Sequence, residues 1–432
     1  MPFEQGVGAP KKIAVIGAGI SGMGAANLLA DTNAVTLFEA ENRLGGHART
    51  VIAGKHKDQP VDTGFIVFNK VNYPNLLGLL DKIGATYTKS NMSFGCSIQG
   101  GRIEYSLLSL DTLFAQRRNI ARPNYLRMVR DIFHFNANAA RLAQDRSRTI
   151  ADLLERLGTG KWFRDYYLLP FSGAIWSTPK EKIMDFPAYA MVEFFKNHAL
   201  LSHDGQHQWY TIEGGSVEYV RRLDTVMRTK GVEIRLGSPV QAVQRSIIGV
   251  QVKPWGGEWE TFDEVVFATH SDDTLAMLSD ARAHERAALD RIKYQPNDIV
   301  LHRDASMMPK RRKVWSSWVY TEDENSRSDQ IDLTYWMNSL QPIPQDDPHF
   351  VTLNSKREIP QELIYDQVTL RHPVYDRGAL EAQQEVRRFN GTHNTWFCGA
   401  WMRNGFHEDG LASAIEVVDA MNTSGAIAVA AE

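Results

Sequence analysis

The beginning of the chain alternates apolar runs of strand length with a segment of helical character. Residues 13–16 and 35–38 are largely apolar, which is typical of strands buried on both faces. Between them, residues 20–30 are small or apolar and contain no proline, so this segment predicts a helix lying close to a sheet. The order of strand, helix and strand predicts a βαβ unit.

The pattern changes twice further along the chain. Residues 90–207 begin with two hairpin-like runs and continue with helical periodicity rich in aromatic residues and leucine. Strand-like runs return after residue 231, and β-rich runs alternate with polar loops between residues 293 and 371. At the end, a strand at residues 396–398, a glycine-containing turn and a helix from Gly410 to about Met421 repeat the opening arrangement. These segments predict an α/β protein with inserted regions.

The composition is that of a globular protein. Of 432 residues, 43% are hydrophobic and 23% are charged, which excludes wholesale disorder. The formal net charge of −3 argues against a protein that coats nucleic acid. No run reaches the roughly 18 apolar residues of a spanning helix, and the first residues lack a secretory signal pattern, so we expect a cytoplasmic protein. Cys96 and Cys398 are the two cysteines, and their separation favours neither a disulfide framework nor a metal site.

A glycine-rich turn follows the first predicted strand and opens the first predicted helix. Gly17 allows a tight turn, Gly19 lets the backbone approach a diphosphate, and Gly22 permits close packing of the helix on the sheet. The start of this helix offers N–H groups and a partial positive charge to phosphates. Glu39 ends the next strand, where a carboxylate can accept hydrogen bonds from a ribose diol and would repel a 2′-phosphate. Together these features predict a dinucleotide-binding site.

Residues 39–50 extend the pattern in a family-specific way. The segment from Glu39 through the paired glycines Gly45 and Gly46 resembles the extended fingerprint of the flavin-containing amine oxidase and phytoene desaturase superfamily. Segments at residues 61–64, 211–215, 264–268 and 396–411 are similar to later motifs of this superfamily and follow in the same order. The chain resembles in particular a bacterial group of NAD/FAD-binding proteins that carry Gly-Gly-His and end with Gly-Phe-His-Glu-Asp-Gly.

This resemblance implies a fold, a domain organisation and a cofactor. We expect an α/β fold with a Rossmann-like, glutathione-reductase-like FAD-binding domain and an inserted α+β substrate domain. The FAD-binding domain is expected to comprise residues 1–90, 208–290 and 385–432, and the substrate-binding domain residues 91–207 and 291–384. The residues expected to contact FAD are Gly17, Gly19, Ile20, Ser21, Gly22, Glu39, Ala40, Arg43, Gly45, Gly46, His47, Asp62, Thr63, Gly64, Gly215, Val240, Gly399, Asp409, Gly410 and Leu411.

His47 departs from the family's pattern, because relatives usually carry arginine directly after the paired glycines. A neutral or switchable imidazole therefore stands where a fixed cation is usual. His47 can contact phosphate, tune the flavin or serve as a covalent attachment point. We expect non-covalent FAD, with a covalent link at His47 as the alternative. Cys398 falls in a predicted strand and not at the position used for thioether attachment in monoamine oxidases, so no cysteinyl flavin is expected.

Trp401, Phe406 and His407 are the candidates for the wall on the substrate side of the flavin. They lie between the last predicted strand and the helix that faces the flavin in relatives. The aromatic residues are also explained as core residues, and His407 as a structural histidine instead of an acid–base group. Because a flavin performs the redox step itself, the missing signature of a strong protein base is uninformative.

Residues 117–148 carry eight arginines against Asp131 and Asp145, beside apolar positions at helical spacing. This pattern is typical of a basic amphipathic helix that rests on an anionic membrane surface and admits a lipid. The alternative is a solvated face whose arginines pair with acids elsewhere. The arginines are Arg117, Arg118, Arg122, Arg127, Arg130, Arg141, Arg146 and Arg148.

Three functions remain open at this point. The first is an FAD-dependent, desaturase-like oxidoreductase that removes a hydride equivalent from a fatty-acyl or similarly apolar substrate met at the membrane surface. The second is an amine oxidase that produces an imine and hydrogen peroxide. The third is a non-redox or isomerising flavoprotein. The arginine-rich segment favours the first, and the chain shows no carboxylate dedicated to an ammonium group, which disfavours the second.

Overall fold

The computed structural model describes residues 10–176, 183–201, 207–247, 249–322 and 332–431. The strands are β1 (Lys12–Ile16), β2 (Ala34–Phe38), β3 (Thr50–Ala53), β4 (Gln59–Asp62), β5 (Val67–Asn69), β6 (Tyr87–Ser90), β7 (Phe94–Ile98), β8 (Ile103–Ser106), β9 (Trp209–Ile212), β10 (Glu233–Arg235), β11 (Val240–Ser246), β12 (Gly249–Pro254), β13 (Glu260–Phe262), β14 (Glu264–Phe267), β15 (Lys293–His302), β16 (Trp318–Thr321), β17 (Leu333–Trp336), β18 (Phe350–Leu353), β19 (Ile364–Val374) and β20 (Thr395–Phe397). The helices are α1 (Ile20–Leu29), α2 (Pro74–Ile83), α3 (Leu110–Leu113), α4 (Pro123–Leu142), α5 (Ile150–Leu157), α6 (Lys161–Phe163), α7 (Leu169–Trp176), α8 (Ala188–Asn197), α9 (Val217–Thr229), α10 (Ser271–Met277), α11 (Ala283–Arg291), α12 (Met337–Leu340), α13 (Arg377–Phe389) and α14 (His407–Ala431).

A five-stranded parallel sheet forms the centre of the nucleotide-binding part. Its strand order is β10-β2-β1-β14-β20, and each neighbouring pair is parallel. The three inner strands are buried almost throughout, which explains why their sequences are continuous apolar runs instead of alternating ones. Strand β20, from the end of the chain, joins this sheet beside β14.

Alternate side chains of β1 enter two different cores. Ile13 and Val15 pack in the core that includes residues of α1, α2, α9 and α14, whereas Ala14 and Ile16 pack in the core that includes residues of α11, α13 and the antiparallel sheet β11-β12-β13. This follows from the two-residue period of a strand. The sheet is therefore covered on both faces, and a binding site is accessible at the edge formed by the carboxyl ends of its strands.

A seven-stranded mixed sheet forms the second layer, in the order β19-β15-β18-β17-β16-β7-β8. Strand β7 pairs in parallel with β16, so that Phe94 lies opposite Trp318. Two segments more than 200 residues apart in the chain thus share one sheet, against which the core of helices α4 to α8 packs. The domain boundaries given above stay a prediction.

Two predicted helices begin elsewhere in the structure. The last helix, α14, begins at His407 instead of Gly410 because the Asp409 carboxylate accepts a hydrogen bond from the Phe406 N–H at 2.9 Å, as in half of a capping box. In the basic segment, residues 117–121 form a 3-10 turn and α4 begins only at Pro123, whose fixed φ and missing N–H suit a first helical turn. Within the described ranges, every helix is too short or too polar to span a bilayer.

Candidate active site

The glycine-rich turn connects β1 to α1 in the conformation that its glycines permit. Gly17 has a φ of 95° and donates its N–H to the Phe38 carbonyl at 2.8 Å. A Cβ atom added to Gly22 would lie 1.7 Å from the Gly17 carbonyl oxygen. Any side chain at residue 22 would therefore push α1 away from the turn.

Gly19 faces open space, in contrast to its neighbours in the turn. A Cβ atom added there would meet no other atom within 4 Å, and Gly19 is the N-cap of α1 without a side-chain hydrogen bond to the helix. The paired glycines close the other side, since the Gly45 N–H donates to the Ala18 carbonyl at 2.8 Å and a Cβ on Gly46 would lie 3.0 Å from the Gly19 Cα. A helix start whose amides face an uncovered space fits a diphosphate.

The acidic residue and the loop after β2 are held close to this turn. The Glu39 carboxylate accepts hydrogen bonds from the N–H groups of Ala18 at 2.7 Å and Glu41 at 2.9 Å. Each carboxylate oxygen has a second lone pair, which leaves acceptors for a ribose diol. Arg43 does not reach towards the turn but donates to the carbonyls of Gly46 at 2.8 Å and Ala48 at 3.3 Å, and so fastens the loop of the paired glycines. Ala40 is exposed beside Glu39, and Val240 opens β11 two residues after Ser238, whose N–H donates to the Glu39 carbonyl at 2.8 Å.

The buried Asp62 carboxylate connects β3, the start of α9 and the end of α12. Its carboxylate accepts hydrogen bonds from Thr50 Oγ1 at 2.6 Å, from the Ser216 N–H at 2.9 Å and from Gln341 Nε2 at 2.9 Å. Burial raises the pKa of Asp62 to about 6, although these donors oppose the shift. Gly215 precedes the start of α9 with a φ of 87°.

The segment after Asp62 passes close to the paired-glycine loop. The Thr63 N–H donates to the Arg49 carbonyl at 2.8 Å. A Cβ atom on Gly64 would lie only 2.0 Å from the His47 carbonyl oxygen. The segment Asp62-Thr63-Gly64 therefore packs directly against the loop that carries His47 and holds this loop in place.

The first turns of α14 and α1 converge. A Cβ atom on Gly410 would lie 2.9 Å from both Ile20 Cγ2 and Ser21 Oγ, and the Leu411 side chain would approach a Cβ on Gly24 to 2.6 Å. Gly399, at the end of β20, donates its N–H to Ser413 Oγ at 2.9 Å, which ties the strand to α14. Two helix starts from opposite ends of the chain thus meet at one edge of the sheet.

The three aromatic candidates separate into a core residue and two residues beside the helix start. Trp401 is 2% exposed, and its indole N–H donates to the Thr269 carbonyl at 3.0 Å within the core. Phe406 is half-buried and its ring stacks on Phe194, with centroids 5.0 Å apart. We therefore retain Phe406 and His407 for the substrate-side wall.

His407 is held from two directions. Its Nε2 lies 2.7 Å from the hydroxyl of the fully buried Tyr219, and its ring stacks on Phe65 with centroids 3.9 Å apart and planes 8° apart. Burial lowers the pKa of His407 to about 3, so the imidazole is neutral at pH 7.

Three further histidines, two of which the sequence analysis missed, lie beside the paired glycines. His47 is 5.9 Å from His270 and 5.4 Å from His372 between ring centroids. The His47 Nε2 lies 3.2 Å from the Arg371 carbonyl oxygen, which can only accept, so His47 carries its proton on Nε2. Burial lowers the pKa of His47, and lowers the pKa values of His270 and His372 to about 3. His407 is connected to them through Phe65, whose ring stacks on His407 and whose N–H donates to the His47 carbonyl at 2.8 Å. The set His47, His270, His372 and His407, which we call the histidine cluster, is therefore neutral.

Only one of the missed histidines carried a signal in the sequence. His270 follows β14, and ligands of open α/β sheets bind beyond the carboxyl ends of such strands, so its position could have been noticed. His372 lies within β19, where nothing local distinguishes it.

Among the described residues, one set of potential metal ligands lies together: His270, Asp272 and Asp273. Both carboxylates are already paired with the Arg371 guanidinium, which lies 2.6 Å from Asp272. A fixed cation there competes with a metal ion, so we assign none, and the expectation of no metal stays a prediction.

A groove of about 810 Å³ runs beside Phe406, between α14 and the helical insert. One side is formed by Phe194, whose ring stacks on His198 and on Phe406. Arg146 and Arg148, from the end of the arginine-rich segment, line it as well. The groove connects that segment with the residue next to His407.

The glycine turn, the two converging helix starts and the acidic strand end define a dinucleotide-binding protein of the Rossmann-like class. The sequence model of the family described as flavin containing amine oxidoreductase matches residues 20–303. The chain belongs to this family, as the fingerprint predicted, and membership implies a flavin cofactor. The predicted α/β fold is also confirmed.

Individual relatives are more distant. An L-glutamate oxidase precursor of Streptomyces diastatochromogenes is 28% identical over an alignment of 252 residues, and the match covers 48% of this chain and 37% of that protein. The chain thus matches little more than a third of that relative. Among solved structures, a fatty acid isomerase from P. acnes that produces CLA is 14% identical with a TM-score of 0.66, covering 95% of this chain and 98% of the isomerase. Cyclohexylamine oxidase from Brevibacterium oxydans IH-35A is 16% identical with a TM-score of 0.65, covering 96% and 100%. These structures share the fold.

Proposed function

We propose that this protein is an FAD-dependent oxidoreductase that removes a hydride equivalent from an apolar, fatty-acyl type of substrate. When bound, the flavin accepts the hydride. The residues that would hold FAD are the Gly17–Gly19–Gly22 turn, Glu39, and the loop from Gly45 to His47. This chain's own contribution is to position the substrate and to exclude water.

The observation that carries this proposal is the neutral character of the wall beside α14. Two stacked pairs of rings lie at the start of α14, Phe65 on the neutral His407 and Phe194 on Phe406. The two carboxylates of the same turn are already engaged. Glu408 accepts hydrogen bonds from the N–H groups of Asn75 and Leu76, and Asp409 from Phe406. An ammonium group would therefore compete with backbone donors for these carboxylates, whereas an acyl chain meets apolar rings.

We assign His407 the role of a neutral hydrogen-bond donor. Burial raises the pKa of Tyr219, so its hydroxyl stays protonated, and we assign this hydroxyl as the donor to His407 Nε2. The ring proton of His407 then resides on Nδ1, the other ring nitrogen. A fixed N–H donor at a helix start can orient a ligand oxygen without adding a charge to the apolar wall.

We propose that FAD is bound non-covalently. His47 uses its Nε2 proton to bind the Arg371 carbonyl, which ties the paired-glycine loop to β19. A covalent link would have to form at the remaining nitrogen, Nδ1. Precipitation of the yellow protein with trichloroacetic acid tests this, since flavin released entirely into the supernatant is expected and flavin retained in the pellet would assign the covalent alternative.

An amine oxidase is the second candidate, and the stretch similar to L-glutamate oxidase favours it. An isomerising flavoprotein is the third, because a fatty acid isomerase has this fold. One experiment separates all three. The FAD-loaded protein is mixed anaerobically with unsaturated and saturated fatty acids, their esters and a panel of amines, and the flavin absorbance is followed.

Lasting bleaching by an acyl substrate together with a new double bond in the product is the expected result. Bleaching by amines alone, with peroxide on admission of air, would replace the proposal by the amine oxidase. An isomerised product without lasting bleaching would replace it by the isomerase.

We further propose that the protein works in the cytoplasm at the surface of an anionic membrane, through the basic segment at residues 117–148. The structure refines which arginines are useful for a test. Arg127 and Arg130 both pair with the buried Asp131, whose carboxylate also accepts the Gly160 N–H at 2.7 Å. Their replacement would disturb the core, so the test has to rest on other cations.

A further inference from the structure

We propose that residues 100–122 and 310–313 together form a docking surface for an anionic phospholipid bilayer. This inference rests on the proposed function, because it supplies the contact with the membrane that holds the acyl substrate. We call the surface the basic–apolar patch. It comprises three exposed apolar residues and eight cations: Leu108, Leu110, Ile120, Arg102, Arg117, Arg118, Arg122, Lys310, Arg311, Arg312 and Lys313.

Two carboxylates bring the separate segments together. Glu104, which is fully buried, accepts the Lys310 N–H at 2.8 Å and pairs with Arg311 at 2.7 Å. Asp111, in α3, pairs with both Arg117 and Lys313. The run Lys-Arg-Arg-Lys at residues 310–313 therefore lies against the hairpin β7-β8 and α3, about 200 residues away in sequence.

The first segment is also closed on itself. Arg118 Nη2 donates to the Arg102 carbonyl at 2.8 Å, and Lys310 Nζ donates to the Gly100 carbonyl at 2.9 Å. The bond from Arg118 holds the 3-10 turn that carries Ile120 next to the loop before β8, and the bond from Lys310 holds the second segment against the same loop. The patch is thus a fixed surface made by tertiary contacts, and not the face of one helix.

The apolar members protrude although they lie among charges. Leu108 is 67% exposed, Leu110 66% and Ile120 53%. Glu104 and Asp111 are the only carboxylates within residues 100–122 and 310–313, so the eight cations leave an excess of six positive charges. Exposed aliphatic side chains grouped within one surface of a protein mark an interaction site.

The combination fits a bilayer better than another polyanion. Lysine and arginine near an anionic surface each contribute about 1 kcal/mol to binding, and aliphatic side chains gain further when they enter the acyl boundary. A nucleic acid would neutralise the cations, but its charged and hydrated backbone has no continuous apolar layer into which exposed leucine side chains could be buried. An anionic membrane therefore offers partners to both the cations and the aliphatic side chains of the patch.

Co-sedimentation of the FAD-loaded protein with vesicles tests the proposal. One set of vesicles is phosphatidylcholine alone, and the other contains equal parts of phosphatidylcholine and phosphatidylglycerol. The native protein should bind the anionic vesicles only, and less at high salt. The variant Arg118→Gln/Lys310→Gln should lower the association constant about 25-fold, at about fivefold for each cation. Neither residue pairs with a buried carboxylate through its side chain.

The variant Leu108→Ser/Leu110→Ser should weaken binding about tenfold or more without changing the charge. Two matched controls remove the same groups elsewhere: Lys82→Gln/Arg286→Gln for charge, and Ile247→Ser/Trp255→Ser for exposed apolar area. Both controls should bind like the native protein.

The proposal is overturned if the native protein ignores anionic vesicles, if the patch variants bind as the controls do, or if a DNA duplex binds while vesicles do not. Flavin content and anaerobic bleaching by a short-chain, micelle-free acyl substrate are measured on the same variants. Retained bleaching with lost vesicle binding separates the docking surface from the chemistry, so the failure of one does not imply the failure of the other.

Discussion

The starts of α1 and α14 lie against each other, yet they are built in opposite ways. Helix α1 has a glycine, Gly19, as its N-cap, so it has no side-chain cap, and its first turn contains no acidic residue. Helix α14 carries Glu408 and Asp409 in its first turn. The first helix start therefore presents bare amides to an anion, whereas the second already has negative charge at its positive end.

Glu408 and Asp409 in the first turn of α14 both accept structural hydrogen bonds. Glu408 accepts the N–H groups of Asn75 and Leu76 and the Asn75 side-chain amide, and so satisfies the start of α2 from another helix. Asp409 caps its own helix. In the proposed function α1 binds the diphosphate through its backbone, whereas α14 is anchored by its two carboxylates so that Phe406 and His407 keep their places.

The largest effect is expected when the bare helix start is filled. Gly19→Leu should lower the affinity for FAD about a thousandfold, because losing two or more charge-assisted hydrogen bonds to the diphosphate removes about 4 kcal/mol. The fold should survive, since a Cβ atom there meets nothing within 4 Å. Flavin absorbance after gel filtration and fluorescence titration of the apoprotein measure the loss.

Gly78→Leu, at another open position in α2, is the matched control and should retain FAD. Normal flavin content in the Gly19 variant would show that the diphosphate does not lie at α1.

The second prediction concerns the neutral imidazoles of the histidine cluster. The pKa values of His270, His372 and His407 are lowered to about 3 by burial, so the unfolded chain takes up protons first as the pH falls below 6.5. The free energy of unfolding should therefore be highest above pH 6.5 and should fall with decreasing pH. Asp62 and Asp409, with pKa values raised to about 6, act in the opposite direction.

The net loss from these five groups between pH 7 and pH 5 should be on the order of 3 kcal/mol, counted at 1.36 kcal/mol per pKa unit, and His302, whose pKa burial lowers to about 4, adds to the loss. Urea unfolding of the apoprotein at both pH values measures it, and His407→Gln should reduce the slope. Stability that rises towards pH 5 would contradict the neutral cluster.

The third prediction concerns the hydrogen bonds by which Glu408 of α14 accepts the N–H groups at the start of α2. Glu408→Ala should lower the free energy of unfolding by about 2 kcal/mol, because buried N–H groups at the start of α2 lose their acceptor. Urea denaturation measures the change. Glu416→Ala removes an exposed carboxylate from the same helix, paired with Arg403, and should cost no more than about 0.5 kcal/mol. Equal losses in the two variants would refute the special role of Glu408.

The smallest effect is expected from Tyr219→Phe, at about 1 kcal/mol of stability. Nitrogen NMR spectra of this variant are the decisive measurement, because His407 should no longer prefer the Nδ1-protonated tautomer. Tyr210→Phe serves as the control for the loss of a hydroxyl. An unchanged tautomer in the Tyr219 variant would mean that another group orients His407.

The sequence indicated the parts of the site that depend on local backbone rules. The turn from Gly17 to Gly22 was predictable because glycine alone tolerates a φ of 95° and a contact that leaves no room for Cβ. The start of α14 was placed too late, since Gly410 resembles a helix opening while the capping carboxylate of Asp409 acts from inside the helix.

The family, the α/β fold and the glycine turn were predictable from the sequence, because they depend on residue types at short, fixed spacings. Which distant residues meet became known only from the folded chain. It brought His47, His270, His372 and His407 to one place and laid Lys310 to Lys313 against the hairpin of β7 and β8. Such contacts join positions hundreds of residues apart, and only the packing of the whole chain, not any local pattern, sets their distance.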